Sequence, residues 1–321
     1  MDRLKRRAAA ALVASAAFLA GCGAPEGEPA AEPEEQGTPD AATATFRGRT
    51  YERNIVFTAL SGDSAFVVPW LISGQTQPGG VRRQARGLLA RGSTWEEFYD
   101  QSWETQPTRT PWRVLPHESL RLLVGEGDAI EGMIFSEGQR QLELEVTGGA
   151  LMEWTGTRGQ VFRLLDGAAY LSDQRVAGLI LDMSRVHGSE EVKHGDWAFL
   201  VSGDSLQVVL ENSAAAPPGT RGAYRIWARL DFRDLQWTSV TVDWADVSAF
   251  EPARQDIPVS WTLSSDDEQV EGVLQVESAH VVAGEGAGPL LPVDALFLVV
   301  GTIRIEQRTF PVRGLFRHTR S

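Results

Sequence analysis

The chain has 321 residues, 30 Lys and Arg against 43 Asp and Glu, and a formal net charge of -13. So acidic a chain excludes nucleic acid as a partner and argues against direct adsorption to anionic headgroups. A single cysteine, Cys22, excludes a disulfide within one chain, a cysteine-based metal site and a thiol nucleophile in the folded part.

Residues 1–21 read as a signal segment. Arg3, Lys5, Arg6 and Arg7 precede the apolar run AAAALVASAAFLA, which is too short to span a bilayer as a mature helix. The run ends in Leu19-Ala20-Gly21-Cys22, which resembles a bacterial lipobox. That resemblance implies cleavage before Cys22, a lipid on its thiol, and a protein held at the cell envelope. Gly23 is not the Asp that favours the inner membrane, so the periplasmic side of the outer membrane is preferred. Residues 22–45 carry six acidic residues and no Leu, Ile, Val or aromatic side chain. Such a segment buries too little apolar surface to offset its ordering entropy and reads as a solvated tether.

From Tyr51 onward short runs rich in β-branched and aromatic residues alternate with Gly, Ser, Asp and Asn. YERNIVFTAL, SAFVVPWLIS, RQLELEVTG, VFRLLDGAAYL, AYRIWARLDF and ALFLVVGTIRIEQ are examples. Roughly fifteen strands at this spacing predict a sandwich or barrel architecture. RRQARGLLARGSTWEEFYDQSW, about 82–103, predicts one short helix, weakened by Gly87 and Gly92 and restarted at Ser93-Thr94. VHGSEEVKHG is a polar break that divides the folded part into residues 46–186 and 187–321.

The word Ser61-Gly62-Asp63-Ser64 recurs as Ser202-Gly203-Asp204-Ser205, each followed after two residues by Val-Val. Gly-Asp between apolar runs is a tight hairpin signal. The longer match of TALSGDSAFVVPW with FLVSGDSLQVVLE suggests a tandem duplication.

DWAFLVSGDSLQVVLE resembles the start of the second half of lipocalin-like proteins of the AttH and carotenoid 1,2-hydratase type. Ile257-Pro258-Val259-Ser260-Trp261 and the closing PVRGLFRH, Pro311 to His318, resemble later motifs of the same family. The similarity covers about residues 190–320. It implies an all-β fold with two tandem lipocalin-like barrel or sandwich halves packed together around an apolar cavity. In the enzymatic members it implies long isoprenoid substrates. The ten Trp and thirteen Phe suit such a lining, and Trp197, Phe199, Trp227, Trp244 and Trp261 are the candidate ligand contacts.

Four residues stand out as catalytic candidates. On a strand, Asp246 shares a face with Val242 and Trp244, where burial of a carboxyl would suit a general acid. Asp243 lies on the opposite face, and His280 and His318 fall in strands near the C-terminus. His187, Glu190, Glu191 and His194 form a dense metal-type cluster, but the glycines around them favour a solvated loop, and no metal site is expected. No Gly-x-Ser-x-Gly elbow or phosphate loop occurs, and no cofactor is expected. The expected function is binding of a hydrophobic small molecule or lipid by an envelope protein. An isoprenoid hydratase or cyclase, and an accessory protein of an envelope transporter, are the alternatives.

Overall fold

The computed structural model describes residues 48–62, 64–107, 116–156, 160–172, 174–188, 195–203, 205–212 and 222–320. The signal segment, the tether and residues 190–194 of the metal-type cluster lie outside them. The first half contains β1 (Arg49–Ser61), β2 (Ser64–Gln77), β3 (Gly80–Arg91), β4 (Thr94–Thr105), β5 (Leu120–Val124), β6 (Ile130–Glu137), β7 (Arg140–Thr155), β8 (Val161–Leu171) and β9 (Gln174–Gly188). These pair in the order β4-β3-β2-β1-β9-β8-β7-β6-β5. The second half contains β10 (Trp197–Ser202), β11 (Leu206–Asn212), β12 (Gly222–Leu230), β13 (Arg233–Phe250), β14 (Gln255–Ser265), β15 (Val270–Ala283), β16 (Val293–Ile305) and β17 (Arg308–Arg320). These close into an eight-stranded barrel in chain order. The fold is all-β with two lipocalin-like halves, as the strand spacing and the resemblance imply.

The expected helix over 82–103 is instead the β3–β4 hairpin. Gly92 takes the positive φ of 56° that its tight turn needs. The helix-like pattern has a physical cause. Ala85 and Leu89 face the interior of the first half, while Leu88 and Ala90 face the second half. A strand buried on both faces loses its polar alternation and gathers apolar residues at helix-like intervals. A register shift after Gly87 leaves Phe98 of β4 unpaired. Phe98 and Tyr99 therefore both pack on the interior of the first half.

The same two-sided burial explains the apolar runs of β1 and β10. Ile55, Phe57 and Ala59 line the inside of the first half, and Val56 lies between the halves. Ala198 and Leu200 fill the barrel, while Trp197, Phe199 and Val201 meet the first half. The layer between the halves also holds Leu71, Leu164, Leu181, Leu296, Leu298 and Leu315. Trp154, Phe162 and Trp227 stack across it with centroids 5.2–5.7 Å apart.

Polar contacts fix the two halves in register. Trp95 Nε1 donates to Ser278 Oγ at 3.0 Å, and that hydroxyl donates to the Gly92 carbonyl at 2.8 Å. Asp294 accepts from Arg86 at 3.2 Å and from Arg317 at 2.9 and 3.1 Å. Arg317 also donates to Asn54 Oδ1 at 3.3 Å. Both SGDS words fall at the first hairpin of their half, with Gly62 and Gly203 at φ of 57° and 53°.

The β10–β17 seam that closes the barrel depends on close backbone approach. A Cβ at Gly314 would overlap the Phe199 carbonyl oxygen. Gly314→Ala is expected to destabilise the fold by about 2–3 kcal/mol through strand displacement, read from urea unfolding. An unchanged midpoint would contradict this packing.

Candidate functional site

Two interior regions combine apolar walls with buried polar groups. The first is the calyx of the first half. β4 and β5 are the unpaired edges of its sheet, and the curl of the sheet brings β4 opposite β6. Phe98 meets Phe135 at 4.9 Å and Trp70 at 5.1 Å. A cavity of about 200 Å³ opens there, lined by Leu89, Phe98, Phe135, Leu142 and Leu171. Glu96, Gln139, Arg140 and Gln141 form its polar rim, and Arg140 lies 3.5 Å from Glu96 across the mouth. This is an apolar pocket with a few convergent polar groups, the usual form of a small-molecule site.

Farther along the calyx the lining turns polar. Arg53 donates through Nε and Nη2 to the two oxygens of Asp182, at 2.8 and 2.7 Å, with both side chains buried. Tyr99 Oη and His117 Nδ1 lie 3.1 Å apart, and the His117 ring stacks on Trp103 at 4.2 Å. Burial, then the charges of Glu118 and Glu137, push the Tyr99 phenol up to about 12. It remains a hydrogen-bond donor or acceptor rather than an anion near neutral pH.

The second region is one end of the barrel. Asp196 precedes β10 and is buried. Its carboxylate accepts from the Tyr224 hydroxyl at 3.1 Å and the Thr319 backbone N–H at 3.2 Å. It faces His318 Nδ1 at 2.9 and 3.0 Å. This geometry puts a proton on Nδ1 and leaves Nε2 as the second functional nitrogen. Nε2 is buried and has no hydrogen-bond partner among the described residues. Burial, and next the Asp196 charge, hold the Tyr224 phenol well above its ordinary 10. Trp244 meets the His318 ring edge-on at 5.4 Å, and Arg320 covers the Trp244 face at 5.9 Å.

The structure separates the sequence-predicted catalytic residues. His318 is inside the barrel. Asp243 is half-buried on its outer face, opposite Thr262. Asp246 does not join Trp244 on the interior. A bulge in β13 between Trp244 and Asp246 breaks the alternation, and Asp246 is exposed and accepts from the Val247 N–H at 2.9 Å. His280 lies outside the barrel against the first half, where Arg86 Nη2 approaches its Nε2 at 3.2 Å. Among the aromatic candidates, Trp197, Phe199 and Trp227 fill the layer between the halves. Trp261 is fully buried, stacked on Phe316 at 4.3 Å, as barrel core. Trp244 alone of the five borders the His318 site. Asp196, Tyr224, Arg53, Asp182, Tyr99 and His117 were not among the sequence candidates. No metal-type cluster occurs among the described residues.

No protein-family model matches the chain, and no curated protein matches its sequence. Solved structures do. A kievitone hydratase from Nectria haematococca is similar in fold, with a TM-score of 0.52 at 10% identity, covering 84% of this chain and 87% of that one. A putative AttH from Nitrosomonas europaea gives a TM-score of 0.54 at 9% identity, covering 85% and 92%. The likeness read from the second half thus extends over both halves, and the chain has the lipocalin-like fold of the AttH type.

His280 supplies a pH test of the join between the halves. Burial, then the neighbouring Arg86 charge, lower its pKa below the ordinary 6.5, outweighing Glu97 and Asp294. As pH falls the unfolded chain therefore takes up this proton first. The corresponding stability is present above 6.5 and is lost between 6.5 and the lowered folded-state value. His280→Gln is expected to flatten that part of the profile of thermal stability against pH; an unaltered profile would contradict the assignment.

Proposed function

We propose that the protein is a lipid-anchored envelope protein that binds a hydrophobic small molecule in the calyx of its first half. The observation that carries this reading is the cavity walled by Leu89, Phe98, Phe135, Leu142 and Leu171, open at the seam where β4 and β6 face each other without pairing. Its size suits a small apolar molecule, or one end of a larger one. The anchor rests on the lipobox at Cys22 and the acidic tether behind it. The tether would hold the calyx away from the outer membrane, on its periplasmic side. A transporter or assembly partner in the envelope has no observation of this kind behind it.

The test is extraction of the purified Cys22→Ser chain, which takes no lipid, with organic solvent and mass spectrometry of the extract. A stoichiometric apolar compound is expected, lost in Leu142→Trp, whose larger side chain fills the cavity. A clean extract from the folded protein that also binds no added apolar compound would contradict the reading. The wild-type chain is expected in the membrane fraction and the Cys22→Ser chain in the soluble one; equal partition would remove the anchor.

A second reading is favoured by the barrel site. Asp196 orients His318 so that Nε2 can exchange a proton with a bound molecule beside Trp244, which is the chemistry a hydratase requires. The kievitone hydratase of similar fold bears that activity in its name. On this reading His318→Ala lowers turnover of the extracted compound by about 100-fold, while Asp246→Asn, on the outer surface, leaves it unchanged. Wild-type turnover by His318→Ala would rule out the barrel as an active site.

A further inference from the structure

The cavity of the first half ends on a floor of aromatic rings. Phe98 and Phe135 line the cavity, and Trp70 and Tyr99 stand behind them. The four rings form one cluster. Phe98 meets Phe135 at 4.9 Å and Trp70 at 5.1 Å. Tyr99 meets Trp70 at 5.7 Å and Phe135 at 5.9 Å, and Trp70 meets Phe135 at 6.2 Å. All five distances are those of attractive aromatic pairs. Trp70, Tyr99 and Phe135 are buried, and Phe98 is half-buried at the cavity wall.

Strand register builds this floor. The shift after Gly87 leaves Phe98 unpaired, so Phe98 and Tyr99 both turn inward from adjacent positions. Gly87 lies opposite Tyr99 on β3 and opposite Trp70 on β2. A Cβ at Gly87 would stand 2.6 Å from the Trp70 ring and 2.9 Å from the Phe98 ring. The β3 backbone therefore backs both rings at close range. Along β2 the inward residues are Phe66, Val68, Trp70 and Ile72. Arg53 is opposite Ile72, one step past Trp70, so its pair with Asp182 lies on the far side of the floor from the cavity. Met133, Leu144 and Ala169 are buried in the core that the floor adjoins.

We infer that this aromatic floor restricts the ligand to a compact, ring-sized apolar compound, and that Phe98 is the residue that sets the limit. This deepens the binding reading above and rests on it. A cavity of about 150 Å³ takes benzene. By that measure the cavity of about 200 Å³ beside Phe98 holds roughly eight non-hydrogen atoms. A longer chain leaves its surplus at the mouth, among Glu96, Gln139, Arg140 and Gln141. Methylene groups that stay in water there add little affinity. A long isoprenoid is therefore excluded as a fully enclosed ligand. Trp70 holds Phe98 and Phe135 in place and acts as a positioning residue.

The experiment titrates the full chain carrying Cys22→Ser with straight-chain primary alcohols from butanol to dodecanol, by calorimetry. While each added methylene is buried, affinity rises about fourfold. In this chain the rise is expected to stop at about eight carbons. Phe98→Ala opens the floor and is expected to move the break about two carbons or more along the series. Phe98→Leu, a milder change, is expected to move it the same way, and thermal melting shows that each variant is folded. Leu142→Trp, which fills the cavity, is expected to bind none of the alcohols. Affinity that climbs unbroken to dodecanol overturns the floor and leaves hydrophobic binding standing. A break at the same carbon in the folded Phe98 variants overturns the assignment to Phe98. Undiminished binding by Leu142→Trp puts the alcohols outside the cavity and overturns the inference. Binding of no alcohol overturns it too, and with a clean solvent extract the binding reading falls as well.

Discussion

The apolar layer between the halves is the constraint on which the rest of the structure depends. Val56, Leu164, Leu181, Phe199, Leu298 and Leu315 are buried in it. Burying them there removes from water an area that neither half covers alone, and hydrophobic burial is the main favourable contribution to folding. Each strand in this layer must then carry apolar side chains on both faces. One face serves its own half and the other serves the join. The Asp294 network adds direction, because Arg86 from β3 and Arg317 from β17 converge on one carboxylate.

This arrangement gives each half a packed interior of its own. The barrel is closed, so its edges are satisfied and its interior packs as core around Trp261, Phe297 and Phe316. The buried polar cluster of Asp196, Tyr224 and His318 lies at one end. The first sheet has two edges, β4 and β5, and its curl brings β4 against β6 without pairing. An unpaired seam is a liability in a soluble protein unless something occupies or blunts it. Here aromatic side chains on the inside and charged ones at the rim make it an entrance. The bulge at Phe98 contributes directly, since two successive aromatic residues turn inward at the seam.

Much of the architecture was legible in the amino-acid sequence. Hairpin words such as SGDS, and strands separated by Gly, Ser and Asp, are local signals that survive without tertiary context. The β3–β4 hairpin was not legible, because burial of Leu88 and Leu89 on opposite faces erased the period of two. Asp246 was misplaced for a related reason: a β-bulge adds one residue and inverts every later side chain, and nothing in VDWADV marks it. The candidate sites were harder still. His318 was visible as a strand histidine, but its partner Asp196 lies 122 positions away. Arg53 and Asp182 are 129 apart. Only strand order and register bring such pairs together, and neither follows from spacing along the chain. Asp196 stood in the very stretch that carries the family resemblance, next to Trp197, yet a lone acidic residue before a strand gives no sign that it is buried.

The first-half calyx is the proposed seat of the ligand. A crystal structure of the Cys22→Ser chain with its bound compound tests this most directly. Density is expected in the cavity beside Phe98 and Phe135, against Leu89, Leu142 and Leu171, with the layer between the halves unchanged. Density confined to the barrel beside His318 and Trp244, or to the outer surface, would contradict it.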